Sequence, residues 1–419
     1  MPSTGDRERA FPTALSRRDH VRSQREEHGR RSLAVLPIHY PKEILTALGI
    51  HAVEMWGPPG PPRGEAAGRI QSYVCAVARN ALAFLASGGA DAVDGVLFPH
   101  TCDSLQGLAT QATDIGGWGK AAFVFQHPRG GERASARRFV LEELRSLARD
   151  LEAWTGRTLS PGMLAGAIRL HDEVDGCRAA LLDGRARLPI GDPELYALLR
   201  RGEWLWPEEH LVELRDAVAK LRPEREPEPA QAGLPLLVTG YVPEPASLLA
   251  TLNDAGAFVA ADDYAAVGRR VVRRDRAAGA AAAATAATAA TAAADPNAAA
   301  AAAAAATAAG VVAGADPWAD LVSRHAAYPP CPTRGTDQEA RLRHLVSLSE
   351  ASGARGVLVH VQKFCEPELF DVPAILATFK ARGMPVLVLE GELERSLSGQ
   401  AETRLEAFVE LLQAKGRAA

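Results

Sequence analysis

From Leu33 onward, short apolar runs alternate with stretches whose apolar residues recur every three to four positions. LAVLPI (33–38) predicts a strand, and YPKEILTALGI (40–50) predicts a helix with Pro41 near its first turn. GPPGPPRG (57–64) is a turn-rich break, and RIQSYVCAVARNALAFLAS (69–87) predicts a helix closed by Gly88 and Gly89. DGVLFPHTCDS (94–104) is an apolar run ending in a polar loop, and AAFVF (121–125) is another short apolar run. Residues 135–225 carry mainly helical spacing, and EPEPAQAG (226–233) reads as a linker. The alternation then resumes. LPLLVTG (234–240) and FVAADDY (258–264) predict strands on either side of the helix SLLATLNDAGA. RGVLVHVQKFCE (355–366) and PVLVLEGE (385–392) follow, the latter ahead of a helix, ETRLEAFVELLQAK.

Short apolar strands alternating with helices predict an α/β fold of doubly wound parallel sheets. The halves echo each other: DGVLFPHTCD and RGVLVHVQKFCE both run Gly-Val-Leu, then further apolar residues, then a polar stretch with one cysteine. Two related α/β domains are therefore expected, 32–225 with a helical segment and 234–419. Residues 1–31, rich in arginine, read as a flexible or loosely helical arm. Residues 277–310 are almost wholly alanine and threonine and read as a low-complexity surface insertion, with no side chains large enough to bury much area.

Composition narrows the function. A net charge of −4 gives no global bias toward nucleic acid or an anionic membrane. No apolar run reaches the roughly 18–20 residues of a membrane span, and the charged N-terminus lacks the apolar core of a secretory signal, so a cytoplasmic protein is expected. The five cysteines are Cys75, Cys102, Cys177, Cys331 and Cys365, with no CxxC pair among them. Such a set is no disulfide framework, and any metal site must gather cysteines remote in sequence.

Ligands of open parallel sheets bind beyond the carboxyl ends of the strands. Cys102 and Cys365 fall there, and Cys75 sits in the first half of the helix preceding the strand that leads to Cys102. Three thiolates there would suit an iron–sulfur cluster and leave one iron of a four-iron cube open. The competing reading makes each cysteine a small buried hydrophobe, most naturally Cys75 within YVCAVA. Cys331, in the proline-rich loop YPPCPT, is a candidate fourth ligand, and Cys177 reads as structural or exposed.

The segments SYVCAVARNAL, DGVLFPHTCDSLQ, DDYAAVGRR, YPPCPTRG, GVLVHVQKFCEPELFDVPAI and VLVLEGELERSLSGQAETRLEAFVELL, in that order, resemble successive blocks of the 2-hydroxyacyl-CoA dehydratase D-component family. That family includes cluster-bearing subunits of benzoyl-CoA reductase. The resemblance implies a [4Fe-4S] cluster on Cys75, Cys102 and Cys365, and Cys331 also matches a recurrent family cysteine. It further implies a related second subunit, an acyl-CoA substrate and a separate ATP-hydrolysing activator that injects one electron. The implied chemistry is a ketyl radical that expels water from an (R)-2-hydroxyacyl-CoA. Reduction of an aromatic acyl-CoA on the same scaffold is the runner-up, and a double-cubane reductase or a metal-free assembly partner stay open.

Beside the cysteines, His100 could donate to a thioester carbonyl, or simply position its loop. Glu366 and Asp103 could shuttle protons, although loop capping explains them as well. Ser398, Gly399 and Gln400 precede a helix and, with Arg404, could receive CoA phosphates, or form an ordinary cap. No GxxxxGK[ST] loop is present, so ATP is expected to be handled by another polypeptide.

Overall fold

The computed structural model describes residues 16–60, 70–130, 133–221, 233–273 and 316–418. The Ala/Thr-rich insertion and residues 226–232 of the linker lie outside them. The first half runs α1 (Arg17–His28), β1 (Ser32–Val35), α2 (Lys42–Ala47), β2 (His51–Glu54), α3 (Ala76–Ala86), β3 (Gly95–His100), α4 (Asp103–Thr110), β4 (Ala121–Gln126) and α5 (Ala134–Thr155). Three helices follow, α6 (Pro161–Asp183), α7 (Asp192–Arg200) and α8 (Pro207–Val218). The second half runs β5 (Leu234–Gly240), α9 (Ser247–Asp254), β6 (Ala257–Tyr264), α10 (Pro317–Ala326), α11 (Gln338–Ser352), β7 (Gly356–Gln362), α12 (Glu366–Lys380), β8 (Val386–Gly391) and α13 (Gly399–Ala418).

Both sheets are four-stranded and parallel throughout, ordered β2-β1-β3-β4 and β6-β5-β7-β8. The fold is α/β and doubly wound. β7 is buried along its whole length and β3 at all but its last residue, which is why both read as unbroken apolar runs. In each sheet the chain order reverses beside these strands, β1 next to β3 and β5 next to β7, so their carboxyl ends open onto the crevice where such folds bind ligands.

Three local expectations change. Residues 17–28 form a capped helix: Ser16 Oγ accepts from the Asp19 amide at 3.2 Å, and Gly29 closes it at φ +61°. His20, Val21 and Gln24 are buried and Gln24 donates to Glu209 at 2.8 Å, so this stretch packs onto the body instead of trailing from it. The helix expected over 69–87 begins only at Ala76, because a turn in which the Val74 amide donates to the Gln71 carbonyl leaves Cys75 extended. β2, His51-Ala52-Val53-Glu54, carries no apolar run to announce it.

Buried charge ties the layers together. Arg324 on α10 is 1% exposed and joins Glu43 on α2 (Nε to Oε1, 2.6 Å) to Asp172 and Asp175 on α6. Removing one partner of such a cluster strands the others without water, so Arg324→Met should destabilise the fold by about 3–5 kcal/mol in chemical denaturation.

Desolvation also holds five buried histidines neutral, with pKa values down to about 4 for His51 and His360 and about 3 for His171, His210 and His325. The folded values lie below the unfolded value of about 6.5, so this stability is complete above that pH and is lost as pH falls toward 4. Asp262, raised to about 6 by burial, and Asp371, also raised by burial, act oppositely, but they are two groups against these five histidines. The denaturation midpoint should therefore drop between pH 6.5 and pH 4, with net proton uptake on unfolding. A midpoint flat across that window would show that these imidazoles are charged in the fold.

Candidate functional site

Past His100 the chain makes a short turn through Thr101, and Cys102 heads α4. Past Gln362 it turns through Lys363 and Phe364, and Cys365 heads α12. Phe364 takes the left-handed region at φ +62°, a costly conformation for an aromatic residue, and its ring stands 41% exposed beside Cys365. Cys75 heads α3. All three cysteines are thus helix-head residues rather than helix-wall residues, and each is buried, at 6%, 7% and 5% exposure for Cys75, Cys102 and Cys365.

Cys75 acts on both of the other sulfurs. Burial, and after it Cys75, pushes Cys102 up to about 12. Burial, then Cys75, with Glu368 and Cys102 behind it, pushes Cys365 well above the ordinary thiol range. Burial likewise raises Cys75. First-turn amides of the three helices pull the other way, Val77 and Ala78 for Cys75, Ser104 and Leu105 for Cys102, Glu368 for Cys365. Tyr241 stands among them: burial raises its phenol first, then Cys102, Cys365, Cys75 and Cys331 in turn. Its place follows from Gly240, where a Cβ would lie 1.9 Å from the His360 carbonyl oxygen, so only glycine lets β5 run this close to β7 before Tyr241 turns in.

Cys331 differs from the other three. It is fully buried, and its sulfur lies 2.9 Å from Thr333 Oγ1 and 3.7 Å from Arg269 Nη1. Arg269, also fully buried, donates to Asp263 at 3.1 Å and to Glu368 Oε2 at 3.0 Å, while Arg341 donates to Thr239 at 2.8 Å. Burial opposes a charge on Asp263, yet Arg269 and Arg341 outweigh it and hold its carboxyl well below the usual range. This lattice pins Cys331 and the first turn of α12 to the end of β6.

The remaining candidates are scattered. His100 is half-buried with no partner at Nε2, and burial lowers its pKa, so it is neutral. Glu366 is exposed on the first turn of α12, and Asp103 pairs with Arg129 at 3.1 Å in the open. Ser398, Gly399 and Gln400 are exposed at the head of α13; Ser398 Oγ accepts from the Ala401 amide at 3.3 Å, and Arg404 donates to the Val388 carbonyl at 2.9 Å. Cys177 is half-buried on α6. Sequence reasoning passes over Tyr241, Arg269, Glu368 and Gln362. Gln362 ends β7 fully buried with neither side-chain polar atom partnered, and Thr101 Oγ1 is equally orphaned. The acid pair and twin arginines of DDYAAVGRR are the available signal for the lattice; nothing local marks Tyr241 or Gln362.

Among the described residues, no three His, Cys, Asp or Glu side chains close on a point where a single metal ion could sit. No described helix is long and apolar enough to cross a membrane. In the native chain without metal, half-buried Cys177 should react first with a thiol reagent at pH 8. Cys75, Cys102, Cys331 and Cys365 should react only after denaturant is added. Rapid native labelling of all five would contradict their burial.

The chain matches the family described as 2-hydroxyglutaryl-CoA dehydratase, D-component, over residues 37–300 and 287–412, so the match reaches into the Ala/Thr-rich stretch as well as the two halves. It is 23% identical over 388 residues to the lactoyl-CoA dehydratase beta subunit of Anaerotignum propionicum, covering 92% of this chain and 93% of that one. It is 23% identical over 393 residues to the (R)-2-hydroxyglutaryl-CoA dehydratase beta subunit of Acidaminococcus fermentans, covering 92% and 93%. It is 24% identical over 359 residues to a benzoyl-CoA reductase subunit of Thauera aromatica, covering 83% and 81%. With its paired parallel sheets and this match along most of its length, the chain belongs to the 2-hydroxyglutaryl-CoA dehydratase D-component family.

Proposed function

We propose that this chain is the iron–sulfur subunit of a 2-hydroxyacyl-CoA dehydratase, removing water from an (R)-2-hydroxyacyl-CoA, with a [4Fe-4S] cluster held by Cys75, Cys102 and Cys365. The observation that carries the reading is the gathering of three buried thiols, each at a helix head, with Cys75 close enough to push up Cys102 and Cys365, and Cys102 close enough to push up Cys365. Buried neighbouring thiolates repel, and cationic iron is what removes that repulsion. The donor set is soft sulfur, which suits iron–sulfur clusters better than magnesium or calcium. A cube carries its thiolates on separate irons and therefore accepts a wider spacing than one ion would.

When bound, the cluster would supply one-electron chemistry at low potential. The chain's own groups would do the rest. The α3, α4 and α12 amides would stabilise thiolate charge. Neutral His100 would donate a hydrogen bond to the thioester carbonyl, and exposed Glu366 would carry protons between solvent and the crevice. Cys331, already engaged by Arg269 and Thr333, stands as a fourth thiol in the pocket wall, outside the ligand set of this reading. CoA phosphates are assigned to the exposed amides at Ser398, Gly399 and Gln400, with Arg404 on the same helix. Relatives named as subunits support a partner subunit. A separate ATP-hydrolysing activator belongs to the same proposal, as does a cytoplasmic location.

A second reading, a subunit that reduces an aromatic acyl-CoA, is favoured by the similar identity to a benzoyl-CoA reductase subunit. Anaerobic purification with iron and sulfide analysis tests the cluster itself. About four irons per chain are expected, with broad absorption near ~400 nm. Cys102→Ser or Cys365→Ser should abolish that absorption and Cys177→Ser should leave it. About eight irons would favour a double cubane. None after reconstitution would sink the enzyme reading.

A further inference from the structure

The backbone is strained just past the carboxyl end of β1. Ile38 takes φ +91° and His39 φ +56°, and the first is a genuine outlier for a β-branched side chain. Strain of this kind costs about 1–3 kcal/mol per residue and gathers at functional positions. His39 is held in the interior, 3% exposed, with neither ring nitrogen partnered among the described residues. Its ring stands edge-on to His127, with centroids 6.2 Å apart, and His127 stacks on His325 at 5.1 Å. His127 follows β4 and His325 lies on α10, so the ends of two strands and one helix bring the imidazoles together.

His127 and His325 line a cavity of about 190 Å³. Ala136, Val140, Val322 and Ala326 supply apolar walls, and Arg137 and Arg334 also line it. No aspartate or glutamate is among its lining residues. Arg334 is anchored by donating to the His325 carbonyl at 2.9 Å. Burial, with Arg334 among the further causes, lowers all three imidazoles, so they stand neutral. Glu43 acts the other way on His325, but its carboxylate is already taken by Arg324 at 2.6 Å. His325 Nε2 lies 3.3 Å from His127 Nδ1. When His325 donates in that contact, the His127 proton sits at Nε2, and this atom is buried with no acceptor among the described residues. A buried donor left unmade costs about 1–3 kcal/mol, which a ligand oxygen would recover.

The lining decides the ligand. Arginines with no carboxylate among the walls favour an anion. A tetrahedral oxyanion would be dehydrated by the four apolar side chains, whereas a carboxylate with a short hydrocarbon tail suits both kinds of wall. The volume falls below the roughly 300–1,000 Å³ of sites for drug-sized ligands, so it fits about six heavy atoms and not a coenzyme. None of Cys75, Cys102, Cys365 or residues 398–404 lines it, so it is separate from the thiol set and from the helix head assigned to CoA.

We propose that this cavity is an effector site for a free short-chain aliphatic monocarboxylate, its carboxylate accepting from His127 Nε2 beside Arg334 and its tail lying against Val140 and Val322. Tyr328, Pro330 and Thr336 line the cavity as well, and the Cys331 amide donates to Thr336 Oγ1 at 3.2 Å. A bound ligand therefore ties α5 and α10 to the loop that carries Cys331. Neither a cluster nor an acyl-CoA takes part, so the site is tested independently of the function proposed above.

The test is calorimetric titration of the full chain, kept reduced, with butyrate, inorganic phosphate and CoA. Butyrate should bind at least about tenfold tighter than phosphate, and CoA should not displace it. His127→Phe, which keeps a stacked ring and deletes the donor, should weaken butyrate by about tenfold or more. His127→Gln, which returns an N–H near the same place, should restore most of that loss. Ala326→Phe, at a half-buried position of α10, should fill the cavity and abolish binding with the thermal midpoint unchanged. Butyrate should also slow the labelling of Cys331 in intermediate denaturant, and not do so in His127→Phe. Equal affinity for butyrate and phosphate would mean that surface arginines alone attract the anion. That result, displacement by CoA, no butyrate binding, or binding indifferent to both His127→Phe and Ala326→Phe overturns the proposal.

Discussion

The carboxylate of Glu54 at the end of β2 and the guanidinium of Arg270 just beyond β6 meet in a pair with almost no access to water, at 1% and 6% side-chain exposure. Burial works against the charge on Arg270, but Glu54 outweighs it and raises the pKa above the usual guanidinium value. Tyr40 adds its hydroxyl to the same carboxylate at 2.9 Å. These contacts join the carboxyl ends of two different sheets. Arg79 on α3 and Glu392 after β8 form a second link at 2.8 Å. Such pairs contribute little to stability against an apolar substitute, yet they permit few alternative alignments. Cys75 and Cys102 belong to the first sheet and Cys365 to the second. The spacing of the three sulfurs is therefore set by how the sheets are clamped.

The halves are built to one plan. Strand order, parallel pairing and the position of the cysteine after the third strand all repeat, so that β3, Cys102 and α4 correspond to β7, Cys365 and α12. The remaining pair is less regular. Cys75 caps α3 directly, whereas Cys331 sits in the loop ahead of α11, the helix of the same rank. Arg269 and Thr333 engage the Cys331 sulfur, and no described side chain does the same for Cys75. A near-symmetrical scaffold thus presents four thiols, of which Cys331 is held by Arg269 and Thr333.

Much of this was legible in the sequence. Unbroken apolar strands such as GVLF and GVLVHV announce parallel sheets because both faces are covered, and the repeat of that pattern announced the second sheet. β2 escaped because His51 and Glu54, its end residues, are buried polar groups held by specific partners, Ser32 and the Trp204 carbonyl for His51 and Arg270 for Glu54. Periodicity cannot register a strand whose burial depends on tertiary pairing. The same holds at the site. Cys102 and Cys365 stood out by position after strands, while Cys75 looked like helix core until the turn at Gln71–Val74 moved it to the helix head. Nothing local marks Tyr241 or Gln362, and the Arg269 lattice, signalled locally only by the acid pair and twin arginines of DDYAAVGRR, is completed by Cys331 and Glu368, 62 and 99 positions away.

Glu54 and Arg270 are separated by 216 residues along the chain. A polypeptide made from its N-terminus must expose Cys75 and Cys102 until the second sheet has been synthesised and has docked, because contacts between such distant segments form late. During that interval the two thiols are open to oxidation and to adventitious metals. The three-thiol set is thus complete only once both sheets have docked, and a fragment carrying only the first half would lack its third member, Cys365.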